Sequence, residues 1–252
     1  MEPTRLQQSK TIAILPLGAH EYHGCHLPAE TDAIIANAFA QRLATQVVEH
    51  HKILALPAEK VGYSIEHAER SVTQTLSFDE AIERWIAIGR DCYQKGIRKL
   101  LLLNAHGGNS PLMNIVITEL RCRYPMLAVA TSWGRFGLPE GLLSKEEKQF
   151  DIHAGFIETS LMLYLAQEKV NMEKAENFSN KQKEFINKYK YLRAYGPFVF
   201  GWKMRDLNPK GAAGNAAKAN VKAGELIFNH TMQGLTGLLA DMACFNLDQF
   251  EE

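Results

Sequence analysis

Apolar residues fall into two alternating patterns along the chain. Thr11 to Leu17 (TIAILPL), Lys52 to Pro57 (KILALP), Lys99 to Ala105 (KLLLLNA) and Met126 to Trp133 (MLAVATSW) are short, nearly continuous apolar runs, which suit buried strands. Between them, DAIIANAFAQRLATQVVEH (Asp32–His50), AIERWIAIGRDCYQK and LMNIVITELRCRY place apolar residues at helical spacing. Thr31 or Asp32 can cap the first helix, Ser77 and Glu80 stand in capping-box relation ahead of the second, and Gly96 stops it. Ser110 and Pro111 read as the cap and first-turn proline of the third. Strands alternating with helices, the strands apolar throughout, predict an α/β fold: a three-layer α/β/α sandwich with a mostly parallel central sheet. Asn171 to Arg193 is charged and weakly periodic and predicts no regular element. Tyr195 to Met204 (YGPFVFGWKM) reads as a hairpin or lid, and GAAGNAAKANVKAGELIFNHTMQGLTGLLADM as a closing helix.

With 46% hydrophobic residues in 252, the chain can bury one sizeable core, and a single domain over 1–252 is expected. Lys and Arg total 28 and Asp and Glu total 28, so no long-range field collects nucleic acid or an anionic membrane. A small substrate fits better. MEPTRLQQSK has no signal-peptide core and no run reaches a membrane span, so a cytoplasmic location is expected. Cys25, Cys92, Cys122 and Cys244 form no C-x-x-C pair and read as ordinary reduced thiols.

Chemistry concentrates just past the strand ends, where open α/β sheets bind ligands. His20-Glu21-Tyr22-His23-Gly24-Cys25-His26 follows the first strand. In extended backbone Glu21 and His23, two apart, project to the same side and can converge on one site, although a solvated polar loop has the same composition. Asp32, at a helix start, can cap the helix, bridge two cations, or do both. Asn104-Ala105-His106-Gly107-Gly108-Asn109 follows the third strand, so His106 faces the same sheet edge; a glycine-rich turn or an anion site at the next helix is the other reading. His153-Ala154-Gly155-Phe156-Ile157-Glu158 leads into another apolar stretch, and Glu158 there either complements a helix dipole or joins the cluster. Together these groups are the mixed nitrogen and oxygen donors used for zinc, manganese or iron. His20, His26 and His67 could line a pocket, although solvated or packed histidines are the commoner case, and His50, His51 and His230 read as helix or surface residues.

LPLGAHEYHGCHLPAETD, LLLNAHGGNS and HAGFIETSLML, with GAAGNAAKANVKAGELI near the end, closely resemble the signatures of the creatininase (creatinine amidohydrolase) family. The resemblance implies an α/β sandwich, a hexameric homo-oligomer and two divalent metal ions per chain. By that similarity Asp32 bridges the metals, Glu21 and His106 complete one coordination set, and His23 and Glu158 the other. The implied activity is hydrolysis of a C–N amide-type bond of a small molecule by a hydroxide that the two metals activate. His153 looks like the histidine that gives a proton to the leaving nitrogen, with Gly155 turning the chain so that it stands beside the metals. Trp133, Gly107 and Gly108 would line the substrate pocket.

The chain departs from the creatinine-cleaving pattern at Gly108, where those enzymes keep a glutamate, at Gln149, where they keep a tryptophan, and after His67. Creatinine is therefore not the expected substrate. A formamide deformylase and a precursor-peptide peptidase of the same family are the alternatives. Outside the family stand a phosphate-binding protein using Gly107 and Gly108, which lacks the Lys-Ser/Thr continuation of a phosphate loop, and a metal- or ligand-binding protein without catalysis.

Overall fold

The computed structural model describes residues 9–250. The first eight residues, which belong to the stretch read above for a signal peptide, lie outside them. In chain order come β1 (Ser9–Leu17), α1 (Thr31–Ala44), β2 (Val47–Val48), β3 (His51–Ala55), α2 (Phe78–Gln94), β4 (Ile97–Asn104), α3 (Ser110–Arg123) and β5 (Leu127–Ser132). The second part adds α4 (Lys145–Phe150), α5 (Phe156–Leu165), β6 (Asn177–Phe178), α6 (Gln182–Lys188), α7 (Met204–Leu207), β7 (Gly214–Asn215) and α8 (Val221–Cys244). The main sheet runs β2-β3-β1-β4-β5. β1 pairs in parallel with β3 and β4, and β4 with β5, while β2 runs antiparallel at the edge. β6 and β7 form a separate two-stranded ribbon.

Strand alternation builds the layers. Ile12, Ile14, Leu101 and Leu103 face one side and pack with Phe39 and Leu43 of α1, Leu161 of α5, and Ile227 and Leu235 of α8. Their neighbours Ala13, Leu15, Leu17, Leu100 and Leu102 face the other, against Trp85 of α2 and Leu112, Val116 and Leu120 of α3. Both faces are thus covered, which is why the strand sequences are apolar without interruption. Each fully buried leucine contributes about 1.5–3 kcal/mol relative to exposure. The expected three-layer sandwich is what forms.

Local expectations fared unevenly. Ser77 and Glu80 make the reciprocal capping box, and Gly96 follows α2 with φ of 82°. The first helix, however, stops at Ala44, six residues before His50. Val47 and Val48 turn back against β3, with Glu49 and His50 at φ of 45° and 63° as the two-residue turn. Two β-branched residues beside a turn needing positive φ override the helical spacing. The N-cap of α3 is Asn109, not Ser110, which lies inside the helix. The stretch 171–193, expected to be irregular, holds β6 and α6. Two side chains tie it down: Asn180 Nδ2 donates to Phe150 O, and Gln182 bonds to both Ala194 N and Tyr195 O. Tyr195 to Met204 is a loop closed by an isolated bridge between Arg193 and Val199, not a regular hairpin. No helix of the described residues is long and apolar enough to cross a membrane. All four cysteines are free.

The parallel strands bring the segments after β1 and β4 to one edge. Gly18 lets the start of α1 close over that edge, since a Cβ there would lie 2.5 Å from Ala33 Cα and 2.6 Å from Ala33 N. That contact seats Asp32, the neighbour of Ala33, beside the chain leaving β1.

Candidate metal centre

Glu21, His23, Asp32, His106 and Glu158 meet at this edge: Glu21 and His23 are fully buried, Asp32 is 1% exposed, His106 4% and Glu158 half-buried. Local hydrogen bonds fix each segment. Glu21 N donates to Ala29 O, closing the loop after β1 onto the start of α1. After β4, His106 N donates to Asn104 Oδ1 at 3.1 Å, an Asx turn that swings the imidazole out of the strand line. The Asn109 amide does not cap α3; it donates to Gly18 O and Asn104 Oδ1 and accepts from Tyr63 N, tying three loops together. Asp151 accepts from Phe156 N and Ile157 N and so caps α5 in place of a residue at the helix boundary.

The imidazoles share one arrangement. His23 Nδ1 lies 3.0 Å from Glu21 O, His106 Nε2 lies 2.9 Å from Tyr63 O, and His153 Nε2 lies 3.0 Å from Tyr22 O. A carbonyl only accepts, so those nitrogens carry the hydrogen and the other nitrogen of each neutral ring is a bare lone pair. The bare nitrogens all face carboxylates. His23 Nε2 is 3.2 Å from Asp32 Oδ1, His106 Nδ1 is 3.1 Å from Glu21 Oε2 and 3.5 Å from Asp32 Oδ2, and His153 Nδ1 is 3.6 Å from Glu21 Oε1. Lone pairs directed at anions require something positive between them. Both Glu21 oxygens and Asp32 Oδ2 are also buried without a hydrogen-bond partner, a costly state for a carboxylate unless a cation meets it.

Without a cation, protons take that role. Burial opposes a charge on His23, but Asp32, Glu21 and Glu158 outweigh it and lift its pKa to about 10. Burial likewise opposes the charge on His106, yet Glu21 and Asp32 raise it well above the ordinary value. Burial alone would raise Glu21, but His106, His67 and His153 hold it well below the carboxylate range. Burial lifts Glu158 to about 8, with His23 opposing and Asp32 adding to the rise. A cluster of this kind exchanges protons for cations. Its donor atoms group as Glu21, Asp32 and His106; as His23, Asp32 and Glu158; and as Glu21, His23 and His153, the atoms of each group lying within 4.8 Å of one another. Asp32 belongs to the first two, one oxygen turned to His106 and the other to His23.

His153 is 8% exposed, its ring 4.3 Å from that of His23. The chain turns after it at Ala154, with φ of 50°, and not at Gly155 as expected. Gly155 is needed for space instead, because the Asp151 carboxylate packs where a Cβ would stand. Ala154 N donates to the Glu158 carboxylate, so one hydrogen bond links the two segments. Trp133 packs in the core, stacked 6.3 Å from Phe39. Gly107 has open space beside it, whereas a Cβ on Gly108 would meet the Tyr63 carbonyl, His106 Nε2 and Glu66 Oε1. His26 is a packed histidine, held by Ala154 O and Thr159 Oγ1 and stacked 5.2 Å from Phe178.

Two residues of the turn at Ile65–His67 join the cluster: His67, one of the histidines that could line a pocket, and Glu66, which the sequence did not single out. Glu66 Oε1 lies 3.5 Å from His106 Nε2, and His67 Nε2 lies 3.5 Å from Glu21 Oε1. Their loop reaches the site by long-range packing.

The chain is similar to several known proteins. A mycofactocin precursor peptide peptidase from Mycobacterium tuberculosis is 28% identical over 179 residues, 68% of this chain and 65% of the relative. The chain thus matches just under two thirds of that relative's length. A creatinine amidohydrolase from Pseudomonas putida is 25% identical over 259 residues, covering 94% of this chain and 92% of the relative. A creatinine-amidohydrolase-like protein from Bacteroides fragilis has the same fold, with a TM-score of 0.80, 27% identity and coverage of 95% and 92%. Creatininase structures of this fold include a manganese form and a zinc-zinc form, at TM-scores of 0.74 and 0.75 and 22% identity. The family model described as creatininase, creatinine amidohydrolase, matches residues 2–239, and the chain belongs to that family.

Proposed function

We propose that the chain is a metal-dependent amidohydrolase that cleaves the C–N bond of a small amide using two divalent cations. The observation that carries this reading is the convergence of bare imidazole nitrogens on buried carboxylates that lack partners. Glu21, Asp32 and His106 would hold one cation, and His23, Asp32 and Glu158 the other, with Asp32 giving one oxygen to each. Mixed nitrogen and oxygen donors suit zinc, manganese or iron. When bound, such ions supply Lewis acidity toward a carbonyl oxygen and lower the pKa of water toward neutrality.

The remaining work falls to the chain. His153, with its Nε2–H given to Tyr22 O, offers Nδ1 to the site. Burial, with His23 and His67 beside it, holds the ring well below its usual pKa, so the resting imidazole is neutral. With Nδ1 bare and turned to the site, it is placed to take the proton of the attacking water and hand it to the nitrogen that leaves. Tyr22 O keeps the ring oriented through both transfers.

Creatinine fits poorly. Gln149, exposed, stands where the creatinine-cleaving pattern has a tryptophan, so one of the two aromatic partners for a flat ring is missing, and Trp133 is buried against Phe39. Formyl and peptide amides are the better class. Manganese-loaded protein should turn creatinine over far more slowly than about 10 per second, an ordinary enzymatic rate, while cleaving members of a panel of formamides and short peptides. Ordinary turnover of creatinine defeats this substrate class; inertness toward the whole panel defeats the hydrolase reading.

Cation binding should also be visible in stability. At a metal concentration about 100 times Kd, binding adds about 2.7 kcal/mol, so chelation should lower Tm by roughly 5–10 °C for a chain of this size, reversibly on adding manganese. An unchanged Tm with no metal found in the untreated protein counts against the site.

A further inference from the structure

His67 differs from the three histidines described above. It is 3% exposed, yet neither ring nitrogen is tied to a backbone carbonyl. Nε2 faces Glu21 Oε1 at 3.5 Å, and Nδ1 is buried with no hydrogen-bond partner. A hydrogen on Nδ1 would have no acceptor, so it belongs on Nε2, directed at Glu21, which leaves Nδ1 as a bare acceptor. The ring lies 4.4 Å from that of His153, the proton carrier of the proposed reaction. It also lines a cleft with Tyr22, Glu66, Arg70, Asn208 and Gly211. A buried lone pair without a donor costs about 1–3 kcal/mol, and the ring that carries it both lines this cleft and stands beside the proton carrier, so a group entering there is the candidate donor.

We propose that His67 binds the scissile group of the substrate, its Nδ1 accepting the N–H of the amide nitrogen, so that the site is built for N–H amides and against N,N-disubstituted ones. The proposal rests on the amidohydrolase reading and deepens it by naming the substrate class. The contact would hold the nitrogen beside His153, which must protonate it as the C–N bond breaks. An N-alkyl group would leave Nδ1 unpaired and place a carbon against it. Sites that hydrogen-bond a substrate N–H reject analogues lacking it far more strongly than apolar pockets reject an extra methyl group.

Formanilide and N-methylformanilide are suitable probes, compared in wild type, His67→Phe and His67→Asn, each first assayed for metal content. Wild type should prefer formanilide by at least about 10²-fold in kcat/KM. His67→Phe keeps a ring but loses the acceptor; it should lower formanilide cleavage toward the N-methyl rate and leave N-methylformanilide within about threefold. His67→Asn, whose Oδ1 stands near the position of Nδ1, should restore part of the preference and guards against a Phe variant that fails to fold. Equal cleavage of both probes by wild type, or variants that lower both alike, overturns the proposal.

If wild type cleaves neither probe, formamide hydrolysis is refuted on its own terms. The contact is then read from the histidine ¹⁵N NMR signals of the zinc-loaded protein. A shift of His67 Nδ1 with formanilide and none with its N-methyl analogue supports the proposal; no shift with either overturns it.

Discussion

Asp32→Ala should empty the centre of both cations and lower amide hydrolysis by about 10³-fold or more, the scale set by losing several kcal/mol of charge stabilisation. The expectation follows from Asp32 standing in both donor groups, with Oδ1 at 3.2 Å from His23 Nε2 and Oδ2 at 3.5 Å from His106 Nδ1. Among the described residues no other carboxylate joins those two groups. Its side chain makes no N-cap bond, since the N-cap of α1 is Glu30 and no side chain caps that helix. The substitution therefore removes ligands without removing a cap, and the metal-free fold should persist. Elemental analysis and circular dichroism check this together: a folded variant that still carries about two ions excludes the bridge.

The second large effect is expected at His153. His153→Asn should retain both ions and lose roughly 10²- to 10⁴-fold in turnover, the usual scale for a positioned proton carrier. The loss should shrink for amides whose leaving nitrogen needs little help from a proton. His153 Nδ1 also falls in a donor group with Glu21 and His23, which gives the variant a second reading. Loss of one ion on substitution would make His153 a ligand, and unchanged turnover would remove it from the reaction.

The parts legible in the sequence are those written locally. Leu100 to Leu103 could be recognised as a buried strand because the residues facing each helical layer are equally apolar. Ser77 and Glu80 announced α2 because a capping box needs residues three apart. Glu21, His23, Asp32, His106 and Glu158 were singled out because each lies just past a strand or at a helix start, and parallel strands carry those positions to one edge. Spacing pointed Glu21, His23 and His106 at one edge, the motif resemblance added Asp32 and Glu158, and the structure brings the five together.

What escaped depended on distant partners. The end of α1 was misplaced because Val47 and Val48 pair with β3 rather than extend the helix. Glu66 was not singled out, and it reaches the centre together with His67 through a loop held by Tyr63 N on Asn109 and Ser64 N on Thr75, contacts that no periodicity reports. The turn after His153 falls on Ala154, whose positive φ is uncommon outside glycine.

Anomalous diffraction from manganese-loaded crystals tests the central claim most directly. Two peaks about 3.5–4 Å apart are expected, one within about 2.0–2.3 Å of Glu21, Asp32 and His106 and the other within that distance of His23, Asp32 and Glu158, with His153 Nδ1 outside both coordination shells. A single peak, or two peaks that share no ligand at Asp32, would contradict the account.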